Sequence, residues 1–156
     1  MSSNIFQNEV GKFLKNNFPV AIRFDDSGKN KFGGFQVTKK PYDFFGATKK
    51  GIYFGAEAKK VQSDRFPLNN LYQHQREALQ HLESNKCKSF LLINWRRQRA
   101  GSAIWITYKD YIAIENRILE SGRKSVKPTD FEEFWFLERV SGGWIVPETH
   151  KLRGIL

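Results

Sequence analysis

The sequence predicts an α/β fold, a central mixed β-sheet flanked by helices. Three observations lead to it. Segments of helical and extended period alternate along the chain. The run SFLLINW (89–95) is apolar and bounded by polar residues, the pattern of a strand buried on both faces. Two aromatic-rich extended segments, 42–48 and 52–59, are separated by Lys49-Lys50-Gly51, a hairpin signature. The 156 residues fit one domain spanning the whole chain, because a single core usually serves roughly 100–200 residues.

The elements follow in order. Ile5, Val10, Phe13 and Leu14 recur at helical spacing and predict a helix over about 4–17, capped by Ser3 or Asn4 and stopped by Pro19. VAIRF (20–24) reads as a short strand, and 25–35 as a loop or hairpin tip rich in Gly, Asp, Asn and Lys. After the hairpin, Leu71, Ala78, Leu79 and Leu82 share one side of a helix over 71–84. The buried strand 89–95 turns through Arg96-Arg97-Gln98-Arg99 into a second strand, AIWITY (103–108). A helix over 109–121 ends at Gly122, placed to take a left-handed conformation. A loop (123–130), a helical turn (131–136) and short strands near 136–140 and 144–147 complete the chain.

Charge narrows the function. Lys and Arg total 26 against 16 Asp and Glu, for a net charge of +10 and a pI of about 9.8. That excess on a small chain is the electrostatic footprint of a phosphate-backbone binder. One cysteine, Cys87, excludes an internal disulfide framework and a Cys-built zinc site. No apolar run approaches the ~20 residues of a membrane helix, and the polar start MSSNIFQNEV has no signal-peptide pattern. A soluble cytoplasmic protein is expected.

The chemistry concentrates in 41–59. Pro41-Tyr42-Asp43 opens the first hairpin strand, thirteen residues separate Asp43 from Glu57, and Glu57-Ala58-Lys59 closes the second. The two-residue period of a strand points Glu57 and Lys59 to one face, and hairpin pairing can bring Asp43 beside them. Two carboxylates with open water positions suit Mg²⁺. Such a cation acidifies a bound water and neutralises charge on a phosphodiester, and Lys59 could orient that water or stabilise the transition state.

This arrangement resembles the P-D…(D/E)-x-K motif of a large nuclease superfamily with a restriction-endonuclease-like core. The surroundings are more specific. The run from Tyr42 to Gly46, the strand end Ala56-Glu57-Ala58-Lys59, the segment Phe66-Pro67-Leu68-Asn69-Asn70-Leu71-Tyr72-Gln73-His74-Gln75 and the loop Ser121-Gly122-Arg123-Lys124-Ser125 follow in order. Together they resemble the RecU-type Holliday junction resolvases, over most of 41–133. The resemblance implies a homodimeric, Mg²⁺-dependent endonuclease (with Mn²⁺ as a substitute metal) that nicks four-way DNA junctions in recombination and repair. A recombinase is a further possible partner. It also implies that Asp43 and Glu57 ligate the metal, Ala58 offers its carbonyl, Lys59 is the catalytic cation and Gln75 positions the water or a metal-bound group. In the wider superfamily an acid on the first helix often completes the site, and Glu9 is the acid available there. The chain departs from the family at Tyr42, where Thr is frequent, and at 25–40, a shortened form of the stalk that enters the junction.

Among the basic residues, Lys39, Lys40, Lys60, Arg96, Arg97, Arg99, Arg123 and Lys124 are the candidate DNA contacts. For Arg96, Arg97 and Arg99 a solvated turn and a phosphate clamp are equally consistent with the sequence. Lys29 and Lys31 keep the stalk basic, and Phe32 and Phe35 could stack on bases. His74 reads as a structural histidine, His81 and His150 as surface or packing residues, and Trp95, Trp105, Trp135 and Trp144 as core or interface. Two other readings stay open: a related nuclease for other DNA structures, and a non-catalytic module binding DNA or a recombinase.

Overall fold

A computed structural model describes residues 2–24, 40–96, 102–131, 136–141 and 143–146. The stalk positions Lys29, Lys31, Phe32, Phe35 and Lys39, together with Arg97, Arg99, Trp135 and His150, lie outside the described residues.

Helix α1 (Ser2–Asn17) leads through Pro19 into strand β1 (Val20–Arg23). The hairpin is β2 (Phe44–Ala47) and β3 (Tyr53–Val61), followed by β4 (Phe66–Pro67), α2 (Gln73–Ser84) and β5 (Lys88–Trp95). Then come β6 (Ser102–Thr107), α3 (Tyr108–Glu120), β7 (Ser125–Val126), β8 (Phe136–Val140) and β9 (Gly143–Ile145). The sheet order is β1-β2-β3-β5-β6-β8-β9. The pairing of β3 with β5 is parallel, bridged by the α2 crossover, and the other neighbours run antiparallel. The expected mixed sheet is therefore present, with 89–95 as its central strand.

Both faces of β5 are covered, which is why its sequence is almost wholly apolar. On one face α1 sends Phe6, Val10, Phe13 and Leu14 against Phe54, Phe90, Leu92 and Trp105. Rings interlock there: Trp105 lies 4.6 Å from Phe90 and 5.1 Å from Phe13, centroid to centroid. On the other face Leu79 and Leu82 of α2, with Tyr111, Ile114 and Ile118 of α3, pack on Leu91, Ile93, Ile104 and Ile106. Trp95, Trp105 and Trp144 are core residues, as expected.

Three local expectations change. Ile5 is exposed and Phe6 takes its place in the core, since Phe6 lies four residues before Val10 and so shares the stripe with Val10, Phe13 and Leu14. Tyr108 begins α3 and does not extend β6, because the Thr107 hydroxyl accepts the Asp110 N–H (3.2 Å) and caps the helix. The loop 123–130 contains β7, which pairs with β4 through Phe66↔Val126. The α3 terminus matches the expectation: Gly122 has φ 79°, its N–H reaches Leu119 O (2.9 Å), and Arg123 N–H reaches Ile118 O (3.1 Å).

Gly46 is required by close approach. A Cβ there would lie 2.0 Å from the Val20 carbonyl oxygen and 2.7 Å from the Phe54 ring. The Gly46→Ala variant must therefore part β1 from β2, and it is expected to lose about 3 kcal/mol of unfolding free energy. Urea denaturation checks this through a lower midpoint at unchanged slope.

Candidate active site

β2 begins at Phe44, level with Ala56, so β3 runs on beyond the strand that pairs with it. Asp43 sits at that step. Its N–H donates to Ala56 O (3.1 Å), and its Oδ2 accepts the N–H of Ala58 (3.0 Å). In an extended strand a residue's N–H and C=O share one edge, so the Ala58 carbonyl also faces the step. On β3, Glu57 and Lys59 project to the α2 side, with Lys59 Nζ 3.1 Å from Glu57 Oε1. Asp43, Glu57, Ala58, Lys59 and Gln75 thus line one cleft of about 330 Å³.

Gln75 reaches the cleft from the first turn of α2. Its Nε2 donates to Glu57 Oε1 (2.6 Å), and its Oε1 accepts the Tyr72 N–H (3.1 Å). Both ends of the amide are engaged, which fixes its orientation. The segment before α2 is held by the β4–β7 pairing and by Leu68 N–H donating to Lys124 O (3.0 Å). This is what the Gly-Arg-Lys-Ser loop does in the fold: it anchors the strand that launches Gln75. Arg123 pairs with Asp130 through both guanidinium nitrogens (2.9 and 2.8 Å) while its side chain stays partly exposed. Lys124 keeps an exposed side chain.

Glu57 is the electrostatic centre. It is 2 % exposed, and burial, then the neighbouring Asp43 charge, push its pKa up to about 8, while Lys59 and Lys40 pull the other way. Its Oε2 is buried and has no hydrogen-bond partner among the described residues. A buried, unpartnered carboxylate oxygen beside a second carboxylate is costly unless a cation comes to it. The donor set of Asp43, Glu57 and the Ala58 carbonyl is all oxygen, which fits a hard divalent ion that keeps several waters. Among the described residues no three His, Cys, Asp or Glu side chains cluster at metal-binding distance, so such an ion would rest on two carboxylates and a main-chain oxygen.

The first helix contributes a different residue from the one expected. Glu9 is buried, but its carboxylate accepts from Trp144 Nε1 (2.8 Å) and Arg139 Nη2 (3.0 Å) at the β8–β9 hairpin, off the cleft lining. Gln7 reaches the cleft instead. Its Nε2 donates to Asp43 Oδ1 (3.1 Å), and its Oε1 accepts from Arg23. Residues two apart on a helix differ by about 200° in direction, so Gln7 and Glu9 address different neighbours.

The predicted basic residues divide. Lys40 lies in the cleft itself, with Nζ 2.8 Å from Asp43 Oδ1. Lys60 also lines the cleft; burial and the nearby Arg96 charge lower its pKa, and Glu9 opposes them. Tyr72, not singled out from the sequence, places its ring 4.8 Å under Lys59 Nζ and stacks against His74. His74 therefore has a packing contact and lies off the cleft lining.

A family model described as Recombination protein U matches residues 2–149. The chain belongs to the RecU family. The resemblance carried by the motifs at 41–75 and 121–125 thus extends to nearly the whole chain, first helix included. Among solved structures the chain is similar to Hjc, a Holliday junction resolvase from the archaeal hyperthermophile Archaeoglobus fulgidus, at 15 % identity and a TM-score of 0.51. The match covers 84 % of this chain and 93 % of that one, and at this identity it establishes a shared fold. No curated protein matches the sequence. Membership makes the RecU-type chain a Holliday junction resolvase, and no helix among its described residues is long and apolar enough to cross a membrane.

Proposed function

We propose that the cleft around Asp43, Glu57 and Lys59 is the hydrolytic centre of this resolvase, a single nuclease domain that nicks four-way DNA as a homodimer with Mg²⁺. The observation that carries the reading is the buried Oε2 of Glu57, without a partner among the described residues and beside Asp43. A non-catalytic DNA module would have no use for so costly a group. Asp43, Glu57 and the Ala58 carbonyl would hold Mg²⁺, or Mn²⁺ in its place, and the bound ion would acidify a water and neutralise charge on the phosphodiester.

The chain's own residues do the positioning. Gln75 holds Glu57 Oε1 and leaves Oε2 without a hydrogen-bond partner among the described residues. Gln7 and the Ala58 N–H fix the plane of the Asp43 carboxylate from two sides. Lys59, braced between Glu57 and the Tyr72 ring, offers an ammonium to a non-bridging phosphoryl oxygen, where negative charge grows in the transition state. Lys60, Arg96 and Lys124 are the described cations best suited to the DNA backbone. Opposed strands of a junction are related by an approximate two-fold axis, so two symmetric copies of the cleft suit the substrate.

The test is cleavage of a synthetic four-way junction in Mg²⁺, with linear duplex of the same sequence as competitor. Preferential paired nicking of the junction is expected. Equal cleavage of both would leave a nuclease without junction selectivity, and an absence of cleavage in any divalent metal would overturn the hydrolytic reading.

A further inference from the structure

Asp43 and Glu57 differ in how their oxygens are occupied. Asp43 Oδ2 accepts from the Ala58 N–H at 3.0 Å, while Oδ1 accepts from Gln7 Nε2 at 3.1 Å and pairs with Lys40 Nζ at 2.8 Å. Glu57 Oε2 is bare. A divalent ion held by Asp43 and Glu57 would therefore meet one open oxygen and one already paired with a cation of the chain. The Gln7 and Ala58 donors are neutral, and each can share its oxygen with an ion. Lys40 cannot, because two positive charges against one oxygen repel. Its side chain is 25 % exposed at the cleft rim, on a flexible four-carbon stem that can swing toward water.

We propose that Lys40 is a built-in competitor for the cation site: it neutralises Asp43 in the metal-free protein, and metal binding releases it to a DNA phosphate at the cleft mouth. This rests on the reading of Asp43 as a metal ligand. The displaced ammonium lies beside Lys59 and Lys60, where a backbone phosphate approaching Asp43 and Glu57 must pass. Equally, a phosphate that draws Lys40 away removes the competitor. By linkage the two effects are one factor: DNA tightens metal binding as much as metal tightens DNA binding.

Calorimetric titration of the full chain with Mg²⁺, without DNA, is the decisive experiment. Lys40→Gln is expected to bind Mg²⁺ about 3- to 10-fold more tightly than wild type, the range for losing one partly exposed opposing charge. Lys40→Arg, which keeps the charge, is expected to stay close to wild type. Junction binding by fluorescence anisotropy gives the second arm, with Ca²⁺ as a hard ion taking the same oxygen ligands. The gain in junction affinity on adding Ca²⁺ is expected to be smaller in Lys40→Gln than in wild type. Unchanged or weaker Mg²⁺ binding by Lys40→Gln, with wild-type binding abolished by Asp43→Asn, overturns the role of Lys40 alone. Wild-type Mg²⁺ affinity in Asp43→Asn overturns the metal-ligand reading beneath it.

Discussion

Glu57→Gln is expected to lower junction cleavage by at least ~10³-fold, the scale seen when a group acting directly on the transition state is removed. The same change should make the metal-free protein more stable. Glu57 is buried, with its pKa pushed up to about 8 from an ordinary 4.5. Between those values the folded chain binds more protons than the unfolded one, so stability is fully present at low pH and is lost as pH rises through about 8. The contribution is a few kcal/mol, of the order that linkage gives for a shift this large. Gln carries no proton to lose and keeps the shape, so the slope from this site disappears. Gln75 can still donate to the new side-chain oxygen. Denaturation in chelator should show wild type weakening from pH 6 to pH 9 more than Glu57→Gln does. A variant equally active, or one whose stability follows the same slope, contradicts the assignment.

Lys59→Met is the second large effect. Its ammonium lies 3.1 Å from Glu57 Oε1 and 4.8 Å over the Tyr72 ring, so its direction is set before any substrate arrives. Pre-set charge of this kind typically supplies ~10²–10³ in rate. Met fills the stem's space and lets the cleft keep its shape. The loss should therefore fall on the rate at saturating metal, with junction binding nearly unchanged. Wild-type rates in Lys59→Met would remove Lys59 from the mechanism.

The sequence carried the central strand, the hairpin and the Asp43, Glu57 and Lys59 constellation because each is a local pattern. An apolar run, a turn with Gly51 at φ 76° and a two-residue alternation need nothing distant to be read. What escaped depends on contacts remote in the chain. Gln7 meets Asp43 across 36 positions, and β4 meets β7 across about sixty. No periodicity encodes either. That Gln7 and not Glu9 lines the cleft has a related cause. Amphipathic spacing tells which side of α1 is buried, whereas which polar residue faces the cleft depends on the distant partners it meets, Asp43 for Gln7 and Trp144 with Arg139 for Glu9. Gln7 had one usable sign: it lies three residues before Val10 and seven before Leu14, a polar side chain on the buried stripe.

The most direct test pairs wild type with Glu57→Gln on one four-way junction across a Mg²⁺ titration. Wild type should nick opposed strands only when divalent metal is present, and Glu57→Gln should remain inactive at every metal concentration while folding normally. Nicking by wild type in chelator, or by Glu57→Gln at the wild-type rate, would contradict a metal-dependent centre built on Glu57.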